Sequence, residues 1–336
     1  MSQSGTEAAH DTVAGIERFL GDQFGGTWTV SNLVPVSAGA RRRNVVLDAV
    51  TSGEHLRLVA TIVPTNIELV PITAEARIRE LARDNGVPVP RIHAVCTDPT
   101  YVGASFLLSE RVDGETVPRR VLRLVDAEGI GNRIAEQLGV AMGRLHGIDP
   151  AVAGFLPGDE HADPASAALA ELDSAVDLLL ADRPVFAFAL RWLDQNLPGP
   201  PPRRTVVHND IRNGNLIVGP DGLRAVLDWE GARCWGDPMR DTAWAALRMW
   251  RFREDTREIG GFADRSVFVA GYESVGGLFD PDRFHWWKVL CTLWWGVGLA
   301  SQAAAHLDGS VRDIVMAASG RRVPEVEWDL LMLTKP

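Results

Sequence analysis

Between His208 and Asp241 the sequence reads HNDIRNGNLIVGPDGLRAVLDWEGARCWGDPMRD, and Asp210, Asn215 and Asp228 stand out there as oxygen donors at meaningful spacing. Two apolar runs, Leu216-Ile217-Val218 and Leu223 to Leu227, flank the turn residues Gly219-Pro220-Asp221-Gly222, which predicts a β-hairpin. Paired antiparallel strands lie roughly 5 Å apart, so Asn215, entering the hairpin, meets Asp228, leaving it. Asp210 brings a further carboxylate nearby. Hard oxygen donors of this kind suit Mg²⁺, which keeps few protein ligands beside phosphate oxygens and water. Histidine and cysteine are not gathered here, so zinc is not expected.

These residues resemble the aminoglycoside phosphotransferase-like kinases, within the wider protein-kinase-like group. The catalytic loop of that family, H-x-D-x-x-x-x-N, is matched by His208 to Asn215, and its metal segment by Asp228-Trp229-Glu230. Its G-D-P-x-x-D run is matched by Gly236 to Asp241. The resemblance implies an α+β, two-lobed protein-kinase-like fold: a small antiparallel-sheet lobe with one main helix, and a larger, mostly helical lobe. It also implies a nucleotide-binding lobe over residues 1–112, ending in a hinge, and a catalytic and acceptor-binding lobe over 113–336. Asp210 would then position and deprotonate a substrate hydroxyl, while Asn215 and Asp228 hold Mg²⁺ on the phosphates of ATP or GTP. His208, Asp237 and Asp241 would support the loop.

The elements that must position this set can be read along the chain. Residues 1–12 read as disordered, with a helix from Asp11 carrying Val13, Ile16, Phe19 and Leu20 on one side. Three strands follow, at 27–36, 44–50 and 55–63. The connection Ser37-Ala38-Gly39-Ala40-Arg41-Arg42-Arg43-Asn44 falls where the family's phosphate-covering loop belongs, which makes Ser37, Gly39, Arg41 and Asn44 nucleotide-binding candidates. Three consecutive arginines attract triphosphate, because guanidinium matches phosphate oxygens in a bidentate way; a solvated basic turn is the alternative. In the third strand the family's phosphate-contacting lysine has no counterpart near Ala60 or Thr61. Arg57 shares a face with Val59 and Thr61 and is expected to reach inward in its place.

A helix is predicted from Thr73, as cap, to Asn85-Gly86. Its Glu75 takes the place of the family's helix glutamate and could meet Arg57 or one of Arg41 to Arg43; otherwise it favours the helix dipole. After a proline-stiffened link and two more strands, Glu110 and Val112 are candidates to hold a nucleotide base through main-chain groups, by the same resemblance. Helices are read at 130–148, 167–181 and 185–196. Beyond Asp241 the chain is helical and rich in tryptophan, which reads as packing with an aromatic wall as the alternative. Glu230, Glu254, Asp255 and Glu273 could line an acceptor pocket for amines, or could simply be a solvated face.

Composition narrows the function. A chain of 336 residues with net charge −10 has room for two lobes and no basic surface for nucleic acid. Three dispersed cysteines suit reduced thiols in the cytoplasm. The polar N-terminus lacks a signal-like run, and the apolar stretch from Val289 to Ala305 is broken by Gly296, Gly298, Ser301 and Gln302, which reads as a buried helix, not a membrane span. The expected partners are a nucleoside triphosphate and a small hydroxylated molecule: an antibiotic, sugar, nucleoside or amino alcohol. Two other readings stand beside this one. One is a catalytically silent nucleotide-binding protein, favoured by the missing lysine; the other is a metal-dependent hydrolase using His208, Asp210, Asp228 and Asp237.

Overall fold

The computed structural model describes residues 3–37, 42–64 and 69–335. Helix α1 (Gln3–Phe24) precedes strands β1 (Thr29–Ser37), β2 (Arg43–Thr51) and β3 (Glu54–Val63), helix α2 (Ile72–Asp84), and strands β4 (Ile92–Cys96) and β5 (Ser105–Glu110). The five strands form one antiparallel sheet in the order β1-β2-β3-β5-β4. Strand β2 alternates as the pleat requires: Val45, Leu47 and Ala49 are buried and join a cluster with Ile16, Phe19 and Leu20 of α1. Each such side chain contributes about 1.5–3 kcal/mol when fully buried, so α1 is held as the lid of the sheet.

Helix α1 begins at Gln3, not Asp11. The run Glu7-Ala8-Ala9 is made of strong helix formers, and propensity prevails over its polar character. Helix α2 also starts differently from the reading: Pro71 stands at the cap position, its carbonyl accepting from the amides of Ala74 and Glu75, and Thr73 does not cap it.

The larger lobe follows in chain order: α3 (Pro118–Glu128), α4 (Gly131–His146), α5 (Pro164–Leu179), α6 (Pro184–Gln195), β6 (Thr205–Val207), β7 (Leu216–Gly219), β8 (Gly222–Val226), β9 (Arg233–Gly236), α7 (Pro238–Ala245), α8 (Arg265–Glu273), α9 (Pro281–Leu307), α10 (Ile314–Ser319) and α11 (Val323–Thr334). The predicted hairpin is β7–β8, paired from Leu216↔Val226 to Gly219↔Gly222. A second short pair, β6–β9, brackets the catalytic-loop sequence. Ile134, Leu138, Met142 and Leu145 of α4 are buried, as are Trp244, Trp250, Trp286 and Trp287. Among the described residues no helix is long and apolar enough to cross a membrane.

The two lobes are not joined by the connecting segment alone. Ala74, Ile78 and Ala82 of α2, with Val87 and Val89, belong to the large lobe's core. Arg144 of α4 donates to the carbonyl of Gly86 at 2.7 Å, and the Val226 amide donates to that of Pro88 at 2.8 Å.

Candidate active site

The open end of the hairpin is tied shut by the Leu227 amide donating to the Asn215 carbonyl at 2.8 Å, which sets Asn215 beside Asp228. The Asn215 amide nitrogen donates to Asp210 Oδ2 at 2.6 Å and to the Asp210 carbonyl at 3.0 Å. Both amide hydrogens are therefore spoken for, and the amide oxygen is turned away from Asp210, free to serve as a ligand. The other oxygen of Asp210, Oδ1, accepts from Arg212 Nε at 3.0 Å and from the indole of Trp244 at 2.8 Å. The carboxylate is about a quarter exposed, so it is held in one orientation at the edge of solvent.

Behind it the loop is braced by buried groups. Asp241, fully buried, accepts from the backbone amides of His208 (2.7 Å) and Asn209 (2.6 Å). Burial opposes its charge, but hydrogen bonding to His146 and the backbone donors hold its carboxyl below the usual range. His146 in turn meets the Tyr272 hydroxyl at 2.9 Å. His208 accepts the Asp210 amide on Nδ1 and donates from Nε2 to the Leu227 carbonyl, so the ring is neutral, in keeping with a proton affinity that burial lowers. His208 thus pins the loop to the end of β8. Asn209 and Asp228 both adopt positive φ, 69° and 66°, a conformation costly for side-chain-bearing residues and found where the surrounding fold enforces it. Asp237 caps α7 and pairs with Arg283 at 2.7 Å with neither side chain exposed by more than a tenth, so it serves the helix behind the loop.

Asp228 stands among other acids, Asp210, Glu230 and Glu75. Burial first, then the neighbouring charges of Asp210 and Glu230, push its carboxyl up to about 7 against the opposing pull of Arg42. Carboxylates crowded this way favour a cation, and the donors present (Asp228 and the free oxygen of Asn215) are hard oxygens, so the residues fit Mg²⁺. Among the described residues no group of three His, Cys, Asp or Glu side chains forms a metal cluster. A two-ligand site completed by phosphate oxygens needs none.

A buried cation stands at the entrance to β2. Arg42, nine-tenths buried, donates to Glu75 of α2 at 2.6 Å and lies 2.5 Å from Glu230 without hydrogen-bond alignment; its Nη2 has no partner. Burial opposes its charge, yet Glu75, Glu230 and Asp228 raise its proton affinity. Arg57 does not reach inward: it makes a double contact with Asp113 on the surface, at 2.9 and 2.5 Å. Its partner is set by the point where the chain leaves β5 and offers a carboxylate. Glu230, read as a possible acceptor-side acid, faces Arg42. Asn44 accepts from Thr61 across the β2–β3 ladder. Ser37 is placed by its pairing with Asn44, while Gly39 and Arg41 lie outside the described residues. At the hinge the Glu110 amide donates to the Arg91 carbonyl and the Arg111 amide to the Arg57 carbonyl, while the Val112 amide has no backbone partner among the described residues.

Sequence reasoning missed the contacts of Trp244 and Arg212 with Asp210, and of the partners it offered Glu75, Arg57 or one of Arg41 to Arg43, the structure takes Arg42. An apolar pocket of about 110 Å³, lined in part by His146, Tyr272 and Arg283, lies behind the loop and contains none of Asp210, Asn215 and Asp228. The cleft is defined by its charges, not by enclosed volume.

This is a protein-kinase-like phosphotransferase fold. The chain belongs to the phosphotransferase enzyme family, whose model matches residues 32–284. Among solved structures it is similar to an aminoglycoside phosphotransferase homologue from Ralstonia eutropha, with a TM-score of 0.68 at 19% identity over 95% of this chain and 97% of the other. It is similar also to aminoglycoside phosphotransferase APH(4)-Ia in complex with AMP-PNP and hygromycin B, with a TM-score of 0.60 at 17% identity over 94% of this chain and 98% of the other. Among curated proteins it is 27% identical over 223 residues to acyl-CoA dehydrogenase family member 10 of Mus musculus. It is 25% identical over 257 residues to the probable acyl-CoA dehydrogenase IBR3 of Arabidopsis thaliana. The matches take in 62% and 71% of this chain but only 19% and 30% of those longer proteins.

Proposed function

We propose that the protein transfers the terminal phosphoryl group of ATP or GTP to a hydroxyl of a small molecule such as an antibiotic, sugar, nucleoside or amino alcohol. The observation that carries this reading is the fixed orientation of Asp210, whose two carboxylate oxygens accept from Asn215, Trp244 and Arg212. A carboxylate held so can align a hydroxyl for in-line attack and take its proton, which is most of what the protein must do in a loose phosphoryl-transfer step. Bound at Asn215 and Asp228, Mg²⁺ would offset charge on the phosphate oxygens. Arg42 holds the phosphates from the small lobe, with Glu75 fixing its direction. Val112 donates to the base and the Glu110 carbonyl accepts, which leaves ATP and GTP both admissible. The three cysteines, unpaired and buried, suit a cytoplasmic setting.

The silent-binder reading drew on the absent lysine, and the Arg42–Glu75 pair weakens it. The hydrolase reading loses Asp237, which is committed to α7 and Arg283. A coupled ADP-release assay over a panel of acceptors tests the proposal: acceptor-dependent turnover that disappears in Asp210→Asn supports it. Acceptor-independent, nucleotide-free hydrolysis, or turnover unchanged in that variant, overturns it.

A further inference from the structure

The side of Asp210 facing away from Asp228 is built of indoles. Trp244, which donates to the carboxylate, lies 5.5 Å from Trp250 and 6.3 Å from Trp295 by ring centroid, and Trp250 and Trp295 meet at 4.7 Å. Trp244 and Trp250 are buried, Trp295 is half-buried, and the indole N–H groups of Trp250 and Trp295 have no hydrogen-bond partner. The guanidinium of Arg212 rests 4.5 Å over the Trp250 ring and also touches Asp210. One turn before Trp244 on α7, Arg240 stacks at 6.0 Å on Trp294, and no carboxylate pairs with it among the described residues.

The acids on this side already stand among cations, with the exposed Asp255 near Arg248 and Arg251 and Glu254 near Arg257. Glu258 is held by Lys288 at 2.6 Å, with Arg251 and Arg265 beside it; Asp329 is held by Arg248 at 2.5 Å; Glu230 faces Arg42. An ammonium ion could be drawn to an indole face, but the face of Trp250 already carries a guanidinium, and a second cation there meets like charge. We infer that the acceptor is an alcohol with a flat or apolar body, uncharged or anionic, and not a polyamine, and that Trp244, Trp250, Trp295 and Arg212 select it. This inference rests on the phosphotransfer reading above. Stacking on the half-buried Trp295 gives such a body its contact, and the unpartnered indole N–H groups of Trp250 and Trp295 favour oxygen substituents.

The test combines turnover with binding. Steady-state kinetics are compared for a kanamycin-type polyamine, a nucleoside, an aryl-substituted diol and a carboxylated analogue of that diol, all at one ionic strength. Calorimetry on Asp210→Asn with Mg²⁺ and a non-hydrolysable ATP analogue then measures acceptor binding without chemistry. Expected are a kcat/KM about 100-fold higher for a flat alcohol than for the polyamine, and a KM for that alcohol about 10-fold higher in Trp295→Leu, restored by Trp295→Phe with the nucleotide KM unchanged. A preference for the polyamine, or an acceptor KM unmoved in Trp295→Leu, overturns the inference. If no acceptor is phosphorylated yet calorimetry shows flat alcohols binding in a Trp295-dependent way, the kinase reading falls and the wall stands. If no flat alcohol binds at all, the wall itself is refuted.

Discussion

Arg42 and Glu75 face one another at 2.6 Å, one at the mouth of β2 and the other in the first turn of α2. A cation and an anion from different elements of the small lobe are thereby fixed over Asp228. Glu75 takes its cation from the residue just before β2, not from β3. Replacing Arg42 with Ala removes a charged hydrogen-bonding partner worth about 1.5–3 kcal/mol, so nucleotide affinity should fall about 10- to 100-fold. Arg57→Ala, on the surface with Asp113, should leave it unchanged. Titration calorimetry with a non-hydrolysable nucleotide decides between them, and the reverse ranking would return the role to Arg57.

Trp244→Phe keeps the ring but deletes the N–H that Asp210 Oδ1 accepts. Loss of one donor to a charged group costs about 1.5–3 kcal/mol, so kcat should drop by roughly an order of magnitude or more while the nucleotide KM holds steady. An unchanged kcat would show that Arg212 and Asn215 suffice to orient the base.

His208 is buried with its proton affinity lowered, whereas in the unfolded chain the ring ionises near the ordinary value of about 6.5. The fold excludes a proton that the unfolded chain accepts, so stability is complete above about pH 6.5 and declines as pH falls below it. Asp241 has the opposite partner state, a carboxyl held low, and its contribution is lost only under acid conditions below about pH 4. Thermal unfolding across pH 4.5 to 8 should show the first decline, and His208→Gln should flatten it. Equal slopes in the two proteins would remove His208 from the explanation.

Asp237 and Arg283 form a buried ion pair at 2.7 Å, and Arg283 also donates to the Gly199 carbonyl at 2.6 Å. Taking away Asp237 alone leaves an uncompensated buried charge, so Asp237→Ala should cost about 3–5 kcal/mol in urea unfolding. The double change Asp237→Ala with Arg283→Met should recover part of that loss. A single variant as stable as the parent would mean that water reaches the guanidinium.

The catalytic loop was readable because its chemistry sits in consecutive residues whose backbone path a short hairpin dictates. Asn215, Asp210 and Asp228 need only local geometry to meet. Trp244 reaches Asp210 from 34 positions away, through the packing of α7, and no local periodicity carries that information. Arg57 satisfied the alternation rule on β3, but alternation says which face a side chain takes, not which neighbour claims it. Helix α3 went unread although its sequence carries an amphipathic pattern, with Val121, Leu122 and Val125 buried and Arg119, Arg120 and Arg123 on the exposed face. Glu230 was read with Glu254, Asp255 and Glu273 as a possible acceptor-side acid or a solvated one, and its contact with Arg42 spans about 190 positions that no local pattern links.

Helix α2 packs on both lobes: Ala74, Ile78 and Ala82 lie in the large lobe's core, Ile72 packs against Val63 and Leu107 of the sheet, and the segment after it is fastened at Gly86 and Pro88. It therefore splints the sheet to the helical body, and the Arg42–Glu75 contact ties the entrance of β2 to that splint.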